Sequence, residues 1–109
     1  PANMSELITS VEEFSHNSEN NISLTCKPNP FTSSTEITYN LPGSRKTILE
    51  LYDIRGIRLR ILKDENAISG INTFNLSDVT LPAGIYYIRL VVSGSDGTLS
   101  KSIKLVKTD

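Results

Sequence analysis

Residues 81–92 read Leu81-Pro82-Ala83-Gly84-Ile85-Tyr86-Tyr87-Ile88-Arg89-Leu90-Val91-Val92. Successive side chains of a strand point to opposite faces, so Tyr86, Ile88, Leu90 and Val92 fall on one face as a core row. Leu-Pro-Ala-Gly ahead of this run is a turn signal. A Tyr placed just inside a strand that follows such a turn can send its hydroxyl back to upstream backbone. That is the tyrosine corner of Greek-key sandwiches. These twelve residues predict a two-layered β structure, and the rest of the chain can be tested for the same period.

Working outward, the period persists. Toward the C-terminus, residues 93–97 form a hairpin loop and residues 98–106 a closing strand with Ile103 and Leu105 inward. Toward the N-terminus, strands are expected over 71–76, over 57 to about 63, over 46–54, over 36–41 and over 22–27. In the first of these strands Ile22, Leu24 and Cys26 share a face. In the second, Ile37, Tyr39 and Leu41 alternate with polar neighbours, and Leu49 and Leu51 are the core of the third. Ile57, Leu59 and Ile61 alternate with Arg58 and Arg60 in the fourth. Pro28-Asn29-Pro30, Pro42-Gly43-Ser44 and Asp53-Ile54-Arg55-Gly56 supply the turns, and Gly56 is expected at positive φ. Residues 64–70 read as a polar loop. Seven strands with turn signals every 8–12 residues predict an all-β, seven-stranded Ig-like Greek-key β-sandwich, without the Trp and Cys pair of antibody domains.

Composition agrees with this. The chain has 109 residues, enough for one domain, and its 38% hydrophobic content suffices for a small core. Ala occurs three times and is far outnumbered by Val, Ile and Thr, which favours strands over helices. No apolar run approaches the ~20 residues of a membrane span. The opening residues lack the basic start and apolar core of a signal peptide. A chain that opens on Pro reads as a piece of something longer.

Charge divides the chain in two. Residues 1–26 carry Glu6, Glu12, Glu13 and Glu19 with no Lys or Arg, a net −4. The remainder carries all the basic residues and is net +3. Residues 1–21, rich in Asn and Ser, read as an acidic polar linker, and residues 22–109 as the folded domain. A surplus of three charges without a concentrated stripe excludes nucleic acid as a partner. Tyr52, Tyr86 and Tyr87 sit in strand patterns without the basic frame of a base-stacking platform. A monomer is expected.

Chemistry is sparse. Cys26 is the sole Cys and His16 the sole His, so no internal disulfide and no Cys-rich zinc site can be assembled, and a single His makes most triads impossible. A nucleophilic Cys needs an oriented base, and His16 lies in the polar linker. Glu12-Glu13 and Asp64-Glu65 read as solvated surface. Asp64-Glu65-Asn66 falls short of a calcium loop. No cofactor and no catalytic residue is expected. Arg58 and Arg60, read on one strand face, could join Arg89 in a basic patch, or serve as charges that protect an edge strand.

Five motifs occur in a particular order. They are Pro28-Asn29-Pro30-Phe31; Thr35-Glu36-Ile37-Thr38-Tyr39-Asn40-Leu41-Pro42; Leu51-Tyr52-Asp53-Ile54-Arg55-Gly56; Leu81–Arg89; and Lys101-Ser102-Ile103-Lys104-Leu105-Val106-Lys107. In this order they resemble the C-terminal sorting domain of the type IX secretion system, a relative of the Ig-like domain of flagellar hook-capping proteins. The third motif departs from the pattern, with Ile57 where a basic residue usually follows the Gly. The resemblance implies a non-catalytic bacterial secretion signal, read by an outer-membrane translocon on the way through the periplasm. It also implies cleavage of the linker, or attachment to the cell surface, by a sortase-like peptidase. It makes Pro28, Asn29, Pro30, Gly56, Gly84, Tyr86, Lys101 and Lys104 candidates for translocon or peptidase recognition, with both lysines outside the core. The competing reading is an Ig-like spacer module of a multi-modular extracellular protein or hook cap. Position in the precursor separates the two, and Lys107-Thr108-Asp109 closely after the last strand favours the sorting signal.

Overall fold

A computed structural model of the chain describes residues 22–43, 45–78, 80–94 and 97–109. The acidic linker expected over residues 1–21 lies outside the described residues. Seven strands follow in order: β1 Ser23–Lys27, β2 Thr35–Leu41, β3 Arg45–Asp53, β4 Arg58–Ala67, β5 Gly70–Leu76, β6 Gly84–Gly94 and β7 Gly97–Lys107. They form two antiparallel sheets, β1-β2-β5 and β4-β3-β6-β7. β3 pairs with β6 although β4 and β5 intervene in sequence, because β5 leaves to join β2 and the chain then returns. This is the Greek-key β-sandwich predicted from the strand spacing.

The core is the inward row of each sheet. Ile37, Tyr39 and Leu41 of β2 face Leu49 and Leu51 of β3, Ile88 and Leu90 of β6, and Leu105 of β7, all essentially inaccessible to solvent. Tyr86 and Val92 extend the β6 row as its alternation predicts. Ile22 and Leu24 are buried, and Cys26 is half-buried at the end of the same row. The turn between β3 and β4 closes with Gly56 at φ +85° and a hydrogen bond from its N–H to the Asp53 carbonyl at 3.0 Å. The Asp53 carboxylate accepts from Arg55 N at 2.9 Å and from Ile57 N at 3.0 Å, and its outer oxygen pairs with the Arg55 guanidinium. The Ile57 N–H, then the Arg55 side chain, hold this carboxyl below its usual range.

The structure departs from or adds to the expected strand content at three places, each for a physical reason. First, residues 64–67 are not loop. β4 runs on to Ala67, and only Ile68 and Ser69 separate it from β5. Asp64 and Glu65 are stabilised as strand residues by ion pairs with Lys46 across the ladder and Lys63 on the same strand. An edge strand tolerates such polar residues, which is why composition misleads here. Second, Ile57, Leu59 and Ile61, whose burial the alternation left open, are 50%, 42% and 48% exposed. β4 lies at the edge of its sheet, and its inward contributions come from Leu62 and Ala67. Third, the closing hairpin is tighter than the expected loop 93–97. β6 continues to Gly94 and pairs with Gly97.

Leu51 packs on every side within this core. Leu51→Ala removes its side chain without a polar consequence and is expected to cost ~2–5 kcal/mol. A lowered denaturant midpoint at unchanged slope is the measurement that checks it.

Candidate recognition surface

The Pro28–Phe31 segment connects the two sheets. Pro28 and Pro30 have no N–H to donate, so neither can continue a ladder as donor, and both X–Pro bonds are cis. Asn29 between them supplies the missing groups from its side chain. Its Nδ2 donates to the Lys104 carbonyl at 2.8 Å, and its Oδ1 accepts from Val106 N at 3.0 Å. Phe31 then pairs by backbone, donating to the Val106 carbonyl at 2.9 Å and accepting from Thr108 N at 2.8 Å. The segment is therefore a short parallel addition to the outer edge of β7. The Phe31 side chain is 1% exposed, and the Lys107 ammonium lies 5.8 Å from its ring centre. Thr35 ties the same segment to β2 through a 2.7 Å bond to the Pro28 carbonyl.

Tyr86 makes the predicted corner. Its hydroxyl donates to the Pro82 carbonyl at 2.5 Å, and burial raises its pKa. Gly84 opens β6, paired with Lys107. Pro28, Asn29, Pro30, Gly56, Gly84 and Tyr86 thus all have duties within the fold. Of the sequence-derived candidates, Lys101 and Lys104 are the two with no such duty for their side chains.

These two lysines do not share a surface. The β6–β7 register sets Leu99, Lys101, Ile103 and Leu105 opposite Val92, Leu90, Ile88 and Tyr86, which are all inward. Lys101 is therefore half-buried at the rim of the core face, and the expectation that it lies outside the core is corrected. Residues three apart in a strand face opposite ways, so Lys104 is on the outer face, exposed and opposite Tyr87. Among the described residues neither lysine forms an ion pair.

The basic patch also rearranges. The β3–β4 register slips twice, so one step on β3, from Leu51 to Tyr52, spans two on β4, from Arg60 to Arg58. The slip sends the two arginines to opposite sides. Arg60 pairs with Asp78, beyond the end of β5, while Arg58 pairs with the buried Glu50 at 3.0 Å on the outer face. Tyr52 donates to the other Glu50 oxygen at 3.1 Å, and Arg89 reaches the Tyr52 hydroxyl at 3.4 Å. Tyr52, Gly56, Tyr87, Arg89 and Ser102 line a shallow, mainly apolar hollow of about 350 Å³ on this outer face. Sequence reading missed it because its side chains come from three strands, with the backbone of Gly56 from the β3–β4 turn beside them. The Tyr52–Tyr87 pairing is a register fact that no linear motif records.

Cys26, the one candidate nucleophile weighed from the sequence, is not activated among the described residues. Burial pushes the Cys26 thiol up to about 12. A thiol in that range stays protonated at neutral pH and is a poor nucleophile. Among the described residues, no group of three His, Cys, Asp or Glu side chains could hold a metal ion, and no helix is long and apolar enough to cross a membrane.

Two measurements check this surface. Asn29→Ala deletes both side-chain bonds to β7, and at ~0.5–1.5 kcal/mol for each bond the loss of stability should be ~1–3 kcal/mol. Amide exchange at Val106 should accelerate with it, whereas Ile103 should be little affected. Cys26 should be alkylated at pH 8 far more slowly than free cysteine, and should react at the free rate only after denaturation.

The family model for the secretion system C-terminal sorting domain matches residues 27–107, about three-quarters of the chain. No curated protein matches it. The match begins at the last residue of β1 and ends at the last residue of β7, so it spans the connecting segment, the Tyr86 corner and the β7 edge. The chain belongs to the family of type IX secretion C-terminal sorting domains, non-catalytic signals of secreted or cell-surface proteins that engage the secretion machinery.

Proposed function

We propose that this domain is the folded address of an exported bacterial protein, delivered through the periplasm to the type IX outer-membrane translocon. A sortase-like peptidase then cuts within residues 1–21, either releasing the upstream cargo or attaching it to the cell surface. The observation that carries this reading is the family match across all the motifs in order. Further support comes from the linker composition. Residues 1–21 carry four Glu, no Lys or Arg, and no sustained apolar period, which suits an extended segment entering a peptidase groove. The recognition role falls to Lys101 and Lys104. The other six candidates act through the fold, by fixing the strand edge and the surface around these lysines.

The test is a fusion of a neutral reporter to the N-terminus of the chain, expressed in a type IX-competent bacterium. The reporter should appear outside the cell, and mass spectrometry should place its new C-terminus at or before residue 21. Reporter trapped in the periplasm defeats the sorting assignment in favour of a spacer module. Exported reporter that still carries residues 22–109 defeats the processing step alone.

A further inference from the structure

The outer edge of β7 is half occupied. The Lys104 carbonyl, both Val106 groups and Thr108 N are taken by Asn29 and Phe31. N–H and C=O of one strand residue point to the same side and alternate along the chain. β7 pairs with β6 without a register shift, so the outward groups are those of Thr98, Ser100, Ser102, Lys104 and Val106. Among the described residues, nothing pairs with the backbone of Thr98, Ser100 or Ser102, or with Lys104 N. This free stretch begins where the Asn29 clamp ends.

Other edges are poorer templates. β1 has five residues and β5 seven, whereas β7 has eleven. β4 is long, but its two register slips and its ion pairs with Glu50, Asp78 and Lys46 break the row. Bulges and charged side chains are the means by which proteins blunt an edge. β7 has no bulge, its charges at Lys101 and Lys104 repel a basic edge but not an acid-bearing strand, and its outer-face side chains at 98, 100 and 102 are small hydroxyls. Its two lysines, one on each face, stand beside the free stretch without an acidic partner among the described residues.

We propose that the β7 edge from Thr98 to Lys104 is a strand-addition site for an extended, acid-bearing segment of the secretion machinery. The proposal rests on the sorting reading and names the contact through which the signal is read. In strand addition, main-chain bonds supply affinity and alternate side chains supply specificity. Phe31 already adds to the same edge in parallel, so the edge accepts a strand. An acidic side chain on either face of the incoming strand meets Lys101 or Lys104. A second copy pairing edge to edge would instead add another basic strand, with no acidic side chain to meet Lys101 or Lys104.

Two measurements decide the proposal. In the isolated full chain, amides of Ser100, Ser102 and Lys104 should exchange at least tenfold faster than those of Lys101 and Ile103, which bond to β6. Protection of the outer set would mean that residues 1–21 or a second copy already occupy the edge, and would overturn the proposal. The second measurement is export of the reporter fusion. Ser100→Pro and Ser102→Pro each remove an outward donor and leave the β6 ladder intact, as Pro does on an edge strand. For each variant, retained protection at Lys101 and Ile103 establishes folding, and extracellular reporter should then fall at least tenfold. Full export with both folded variants overturns the edge while the sorting reading stands. Retention of the wild-type fusion overturns the sorting reading itself. If both Pro variants unfold, Lys104→Glu decides, since its side chain is exposed: reduced export supports an acidic partner, and unchanged export overturns it.

Discussion

The carboxamide of Asn29 is the contact on which the arrangement of the two sheets turns. β1 belongs to one sheet, and four residues later Phe31 belongs to the other. The change of sheet needs a sharp corner, and two prolines make one at the cost of two backbone donors. A carboxamide has the same donor and acceptor as a peptide group, so Asn29 completes the β7 ladder where its neighbours cannot. Asp in its place would offer acceptors only, and the Lys104 carbonyl would lose its donor. The corner then delivers Phe31 to a fully buried site under Lys107. The closing strand is thereby fastened to the start of the domain.

Much of this fold is legible in the sequence, because most strands have one buried and one solvated face. β2 and β6 alternate cleanly, and in all of β2, β3 and β6 the inward residues are the ones that period two selects, although Glu50 on the outer face of β3 is buried as well. The corner at Tyr86 is legible for a related reason: a turn and a strand start fix where the hydroxyl can reach. β4 is not legible by the same logic. As an edge strand it exposes Leu59 and Ile61 and carries Asp64, Glu65 and Asn66 near its end, so its last residues read as loop. Two register slips also separate Arg58 from Arg60, and a bulge leaves no mark in the order of residue types.

The candidate recognition surface was legible only in part. The motifs identify the residues that shape the β7 edge, yet Asn29 caps that edge through a side-chain hydrogen bond across 75 positions. Local pattern carries no information on such a contact. The parity of Lys101 and Lys104, by contrast, is contained in the sequence. With Ile103 and Leu105 inward, period two already sets Lys101 inward and Lys104 outward.

The motif residues therefore divide by mechanism. Pro28, Asn29, Pro30 and Tyr86 act by ordering backbone, and Gly56 and Gly84 by allowing turns and starts that position strands. On the proposed sorting role, a signal built this way would be read as a shape, and mutating a motif residue would change export through the edge and the surface that the fold presents. The Asn29 clamp fixes where the free stretch of β7 begins: shortening the clamp would lengthen the open edge toward Val106, and extending it would close the edge altogether.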